Sequence, residues 1–146
     1  MYLLLSVPVQ EFEYITGKRL LTSLIEVRLT LISLAGVVDL EMAWKLHLSN
    51  DAVVELMGGS FPNAPERYAS ASPAAMLPLG VPQVLIHGTS DSNVPIEISR
   101  KYTREAKTAG DPVTYLELEG IDHFDVINPR SSAWERTMEI LQTLVQ

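Results

Sequence analysis

GVPQVLIHGTSDSNVPIEISRKYTREAKTAGDPVTYLELEGIDHFD, residues 80 to 125, decides the fold of this chain. Gln83 to His87 is a short apolar run behind Pro82 and reads as a strand. Pro95 suits the first turn of a helix, where its missing N–H costs nothing. Ile98, Tyr102, Ala106 and Ala109 then recur at spacings of four, four and three, which is one apolar stripe of a helix that Gly110 ends. Glu97 and Lys101 add a favourable pair one turn apart. Val113 to Leu118 reads as the next strand. Strand, helix, strand is a βαβ unit, and its two strands run parallel. The fold class that follows is α/β, a parallel sheet with flanking helices.

Upstream, Leu29 to Ala35 is an apolar run ending at Gly36, the pattern of a strand buried on both faces. Asp39 is placed to cap a helix from Leu40 to Leu46, and Ser49 or Asn50 a second from Asp51 to Met57, stopped by Gly58-Gly59. Five prolines between residues 60 and 82 predict a long surface excursion, with short turns at Glu66 to Ala69 and Ala74 to Leu77. After Pro129, Ser132 and Glu135 form a capping box, and Trp134, Met138, Leu141 and Val145 share the helix face that covers the sheet. Met1 to Val9 reads as a strand that Pro8 confines to an edge. Thr16-Gly17 reads as a break, and Leu20, Leu21, Leu24, Ile25 and Val27 follow at helical spacing.

The 146 residues fit one domain, and 47% hydrophobic with 20% charged residues is the balance of a globular protein. A net charge of −7 argues against nucleic acid or an anionic membrane as partner. The basic residues Arg100, Lys101, Arg104 and Lys107 are interleaved with Glu97 and Glu105, as on a solvated helix face. With no cysteine, disulfides, thiolate catalysis and zinc–thiolate sites are excluded. The apolar start, Met1 to Val9, lacks a basic flank and a small-residue cleavage site, and Glu11 and Glu13 follow it. No apolar run is long enough to span a bilayer. A cytoplasmic location is the expectation.

In a parallel sheet the loops that follow the strands gather at one edge, where α/β folds place their sites. Asp91 lies four residues past His87, and His123 five past Leu118. Neighbouring strands lie about 4.8 Å apart, so these two side chains are expected to meet. A carboxylate bonded to one imidazole nitrogen fixes the tautomer and leaves the other nitrogen free as a base. Asp is also common in turns, because its side chain bonds nearby backbone. His87 is expected to shape its turn, His47 to be solvated, and Asp122 and Asp125 to be exposed turn residues. Trp44 and Trp134 read as packing. Ser90 and Ser92 adjoin Asp91 but lie on no strand-to-helix elbow, so neither is a nucleophile. His87, Asp91, Asp122, His123 and Asp125 are together a conceivable metal-ligand set, but no H-E-x-x-H spacing supports it.

These residues resemble the C-terminal part of an α/β-hydrolase of the esterase and prolyl-oligopeptidase-like branch. That family's strand-HGxxDxxVP turn is matched by His87, Gly88, Asp91, Val94 and Pro95, and its G-x-x-H-F turn by Gly120, His123 and Phe124. Ser70-Ala71-Ser72-Pro73 and Gly80-Val81-Pro82 fit the approach to the first turn. The resemblance runs from about Leu31 to the C-terminus. It implies a partial hydrolase domain at 29–146, behind an N-terminal segment 1–28 of unclear origin. It further implies catalytic Asp91 and His123, a small-molecule ester or peptide substrate, and no metal or organic cofactor.

The resemblance also implies a serine in G-x-S-x-G, upstream of the Leu31 strand. This chain has no such segment; Gly58-Gly59-Ser60-Phe61-Pro62 fails at its last position, and the His-Gly-Gly oxyanion segment is missing too. The nucleophile is therefore unassigned. Two expectations stand: a serine hydrolase working through an acyl-enzyme, or an inactive, truncated remnant that serves as an interaction module or one part of a split enzyme. In the second case the Leu29 to Ala35 strand would lose its neighbour. Its open edge would then favour a homo-oligomer.

Overall fold

The computed structural model describes residues 2–9 and 26–144. Its four-stranded sheet has the order β1 (Tyr2–Val9), β2 (Glu26–Leu34), β3 (Gln83–Gly88) and β4 (Val113–Leu118). β2, β3 and β4 are mutually parallel, as the βαβ reading requires. β1 runs antiparallel along β2, from Tyr2 opposite Ser33 to Val9 opposite Glu26. The β2 edge expected to stand open is therefore occupied by the chain's own first strand. The break at Thr16-Gly17 and the spacing from Leu20 to Ile25 fall outside the described residues. Val27 lies in β2.

Each face of the parallel strands carries its own core. Ile32 and Leu34 of β2, Val84 and Ile86 of β3, and Val126 form one, against which Leu116, Leu118, Trp134 and Leu141 pack. Leu85 faces the other way, into Val38, Ile98, Tyr102 and Ala106. Helix α4 (Glu97–Thr108) covers this second face and α5 (Ser132–Leu144) the first. Leu85 and Ile98 are each fully buried, which contributes about 1.5–3 kcal/mol apiece. The α4 stripe follows the sequence reading at Ile98, Tyr102 and Ala106, whereas Ala109 is the exposed C-cap.

Three short helices lie between β2 and β3: α1 (Leu40–Lys45), α2 (Ala52–Met57) and α3 (Pro65–Ala71). Asp39 caps α1 as expected, its Oδ1 accepting from the Met42 amide at 2.9 Å. The cap expected for α2 differs. Asp51 precedes the helix at φ 63° with no side-chain cap bond, and Ser49 and Asn50 share its left-handed backbone. This backbone turns the Asp51 carboxylate away from the helix end, to the exposed His47 Nδ1 at 2.8 Å. The short turns at Glu66 to Ala69 and Ala74 to Leu77 are realised as α3 and as a 3₁₀ turn at Pro73–Met76.

Two readings of α5 need correction. Its N-terminus is capped by Ser131 rather than Ser132: Ser131 Oγ accepts from the Trp134 amide at 3.1 Å. The Ser131 hydroxyl also donates to the Asp125 carbonyl, at 2.5 Å, which ties the helix entrance to the turn after β4. The buried face is built on Ala133 and Thr137, with Trp134, Ile140 and Leu141 beside them, while Met138 is exposed. Val145 lies outside the described residues.

Candidate active site

β3 and β4 are six residues each and pair end to end, from Gln83 opposite Val113 to Gly88 opposite Leu118. The loops carrying Asp91 and His123 therefore leave the sheet side by side. Backbone bonds then lace them together. Thr89 N donates to the Leu118 carbonyl at 2.9 Å and Ser90 N to the Ile121 carbonyl at 3.0 Å. Gly120 N donates to Thr89 Oγ1 at 2.9 Å. Gly88 lets the second turn lie directly on the first, since no Cβ separates it from Ile121.

Within this frame His123 Nδ1 lies 2.7 Å from Asp91 Oδ2. The Asp91 side chain is fully enclosed, whereas that of His123 is 27% exposed. Asp91 Oδ1 accepts from the amides of Asn93 and Val94, each at 2.8 Å. Burial alone would raise the Asp91 carboxyl. The bonds from Val94, His123 and Asn93 outweigh it and hold the group below its ordinary value. The ionised carboxylate can only accept, so His123 Nδ1 carries a proton, and in the neutral ring the lone pair is on Nε2. Among the described residues, no hydrogen-bond partner meets that Nε2.

His87 supports the carboxylate from beneath. Its ring is fully buried, with Nε2 2.9 Å from the Val94 carbonyl and Nδ1 2.7 Å from Ser99 Oγ. A carbonyl can only accept, so Nε2 carries the proton and Nδ1 accepts from the Ser99 hydroxyl. The same Nε2–H lies 3.2 Å from Asp91 Oδ2. Burial lowers the His87 pKa, against the pull of Val94 and Asp91, and keeps the ring neutral. Sequence reasoning assigned His87 to the turn but missed Ser99 and Thr89. Ser99 is a polar residue on the sheet-facing side of α4, and that placement was its one visible signal.

The other candidates fall outside this arrangement. Asp122 Oδ1 accepts from the Phe124 and Asp125 amides, so it closes its own turn as expected of an exposed turn residue. Phe124 is 63% exposed and stands edge-on to the His123 ring, with 5.3 Å between centroids. Ser90 and Ser92 are exposed, and Ser60 lies beyond α2, ahead of the Phe61–Asn63 turn. Trp44 packs against Phe61 at 5.9 Å, and Trp134 against the α5-side core. Among the described residues no group of three or more His, Asp or Glu side chains converges to hold a metal, so the five-residue metal set is not gathered. No described helix is long and apolar enough to cross a membrane. A separate cleft of about 320 Å³ opens between Asp39, Phe61, Tyr68, Ser72 and Lys101, and none of the candidate residues lines it.

A partly exposed imidazole held by a buried carboxylate can take a proton from a hydroxyl and return it to a leaving group. The model of the prolyl oligopeptidase family matches residues 29–145. No curated protein matches the chain. Among solved structures, an esterase from the Planctomycetes species Thermogutta terrifontis is 26% identical at a TM-score of 0.52, over 65% of this chain and 32% of its own. Its butyrate-bound form is also 26% identical, at 0.51. Puromycin hydrolase is 28% identical at 0.50, over 64% of this chain and 14% of its own. The chain thus spans about a third of the esterase and a seventh of the puromycin hydrolase. The shared architecture is a partial α/β-hydrolase fold.

Proposed function

This chain belongs to the prolyl oligopeptidase family, and from that we propose that Asp91 and His123 are the acid and base of a serine-hydrolase site for an ester or peptide bond. The supporting observation is the 2.7 Å contact between a fully enclosed carboxylate and a partly exposed imidazole. In this reading Asp91 orients His123 and stabilises the imidazolium. His123 Nε2 takes the proton of a serine hydroxyl as it attacks the carbonyl, then returns it to the leaving group. Water hydrolyses the resulting acyl-enzyme by the same route. The substrate is a small-molecule ester or peptide, by analogy with the esterase and puromycin hydrolase neighbours.

A second reading is favoured by one specific observation: the 146 residues contain no G-x-S-x-G elbow. In it the chain is an inactive hydrolase remnant that acts as an interaction module, or one part of a split enzyme. A fluorophosphonate probe separates the two. Labelling of a serine in the folded chain, lost in His123→Ala, supports a complete site. A folded chain that takes no label supports the second reading.

A further inference from the structure

One oxygen of the Asp91 carboxylate faces two imidazoles: Oδ2 lies 2.7 Å from His123 Nδ1 and 3.2 Å from His87 Nε2. We infer that His87 is a positioning residue that moderates the hold of Asp91 on His123 by sharing this oxygen. The inference rests on reading Asp91 and His123 as acid and base, and deepens it by naming the group that sets how strongly the acid pulls.

The two carboxylate oxygens are loaded differently. Oδ1 accepts from the Asn93 and Val94 amides, so the backbone of the turn fixes where the carboxylate sits. Oδ2 is met by the two rings. The His87 and Asp91 side chains are both fully enclosed, so water screens neither from the other. The His87 ring cannot turn away, because it is held at both nitrogens. Its Nε2–H donates to the Val94 carbonyl at 2.9 Å, and its Nδ1 accepts from the Ser99 hydroxyl at 2.7 Å. The neutral ring therefore keeps the positive end of its N–H dipole beside Oδ2.

That dipole draws on the charge that Oδ2 would otherwise offer to His123 alone. Two donors aimed at one oxygen weaken each other, whereas donors linked in a chain strengthen each other. Ser99 stands in the chain sense: its hydroxyl polarises the His87 ring through Nδ1 and sharpens the Nε2–H that faces Asp91. Ser99 on α4 thus reaches His123 through His87 and Asp91 without touching it. The purpose of such moderation lies in the proton's return journey. A buried carboxylate with an undivided pull would hold the imidazolium too tightly for it to protonate a leaving group.

The test is the NMR position of the His123 Nδ1 proton in the full chain at mildly alkaline pH, with circular dichroism as the check on folding. In His87→Leu the shared donor is gone and the proton should move further downfield than in wild type. Ser99→Ala should move it the same way by a smaller amount. His87→Gln, whose amide again offers an N–H to Oδ2, should bring it back towards the wild-type position. A merely structural role for His87 predicts the reverse: a loosened turn moves the proton upfield or broadens it away. That outcome overturns the inference, as does an unchanged position in folded His87→Leu. Should His87→Leu fail to fold, Ser99→Ala decides by the same signs. The parent reading fails separately, if the wild-type proton is not deshielded or is untouched by Asp91→Asn. A proton that vanishes in Asp91→Asn but ignores His87→Leu and Ser99→Ala overturns this inference alone.

Discussion

Gly88 and Ile121 touch backbone to backbone: a Cβ built on Gly88 would stand 2.0 Å from the Ile121 carbonyl oxygen. That oxygen is also the acceptor for Ser90 N, so it is not free to withdraw. Gly88→Ala should therefore push the turns apart, at a cost of about 3 kcal/mol, the upper end for an overpacked site. Urea unfolding should show the loss, and the His123 Nδ1 resonance should broaden or shift even under conditions where the variant is folded. An unchanged resonance would mean that the turns tolerate separation.

Asp91→Asn tests orientation rather than folding. An Asn Oδ1 can still accept from the Asn93 and Val94 amides, so the turn survives. Its amide nitrogen then faces His123 and donates where the carboxylate accepted, which selects the wrong tautomer. Any His123-dependent turnover should fall by about 10⁴-fold, as for the equivalent change in a Ser-His-Asp triad. Circular dichroism should stay close to wild type.

Acid sensitivity should come in two stages. His87 is neutral when folded, its pKa lowered from 6.5 chiefly by burial. Its contribution is whole above 6.5 and is lost as pH falls towards the folded value, because the unfolded chain binds the extra proton. Asp91 is lowered from 3.8 despite its burial, by the bonds it accepts, so its contribution is whole above 3.8 and is lost below. Stability by urea unfolding should therefore decline from pH 7 to 5 with a His87 component of at most about 1.4 kcal/mol per pH unit. The slope should flatten in His87→Gln. A slope identical in both proteins would show that His87 titrates alike folded and unfolded.

Asp39 is 3% exposed and has two tasks, capping α1 and meeting Lys101 Nζ at 2.5 Å. Lys101 keeps a second partner in Glu105, at 3.2 Å, and is 40% exposed. Asp39→Ala should cost about 1–2 kcal/mol, mostly from the lost cap. The coupling between Asp39→Ala and Lys101→Ala in a double-mutant cycle should be under about 1 kcal/mol, because solvent screens the lysine.

Deleting residues 1–25 should expose the β2 edge that β1 now pairs with. The shortened chain is expected to self-associate, and light scattering on a sizing column should show species larger than those of the full chain.

The βαβ unit was legible because its signals are local. Strand periodicity, Pro95, Gly110 and the α4 stripe all lie between Gln83 and Leu118; the observed β3 and α4 depart from the reading by one or two residues at an end, and β4 matches it. The meeting of Asp91 and His123 was legible for the same reason, since it follows from two adjacent parallel strands. What could not be read depends on backbone geometry and strand pairing that the pattern of residue types does not encode. Ser131 rather than Ser132 caps α5, and its hydroxyl also answers to the Asp125 carbonyl. The left-handed run of Ser49, Asn50 and Asp51 replaces a side-chain cap that propensity favoured. The antiparallel pairing of β1 carries no local mark, because an apolar strand reads the same whichever way it runs.

At the end of the sheet away from the dyad, the buried Asp111 carboxylate accepts from Leu79 N at 2.7 Å, Gly80 N at 2.8 Å and Gln83 Nε2 at 2.9 Å. Gln83 Oε1 in turn accepts from the Tyr102 hydroxyl at 2.6 Å. Asp111 thereby sets a common starting line for β3 and β4, and six residues carry that line about 20 Å to the far edge. A slip of one residue here would invert every side chain on one strand and carry Asp91 out of reach of His123. The alignment of Asp91 with His123 is thus decided at the far end of the sheet, by a carboxylate that touches neither of them.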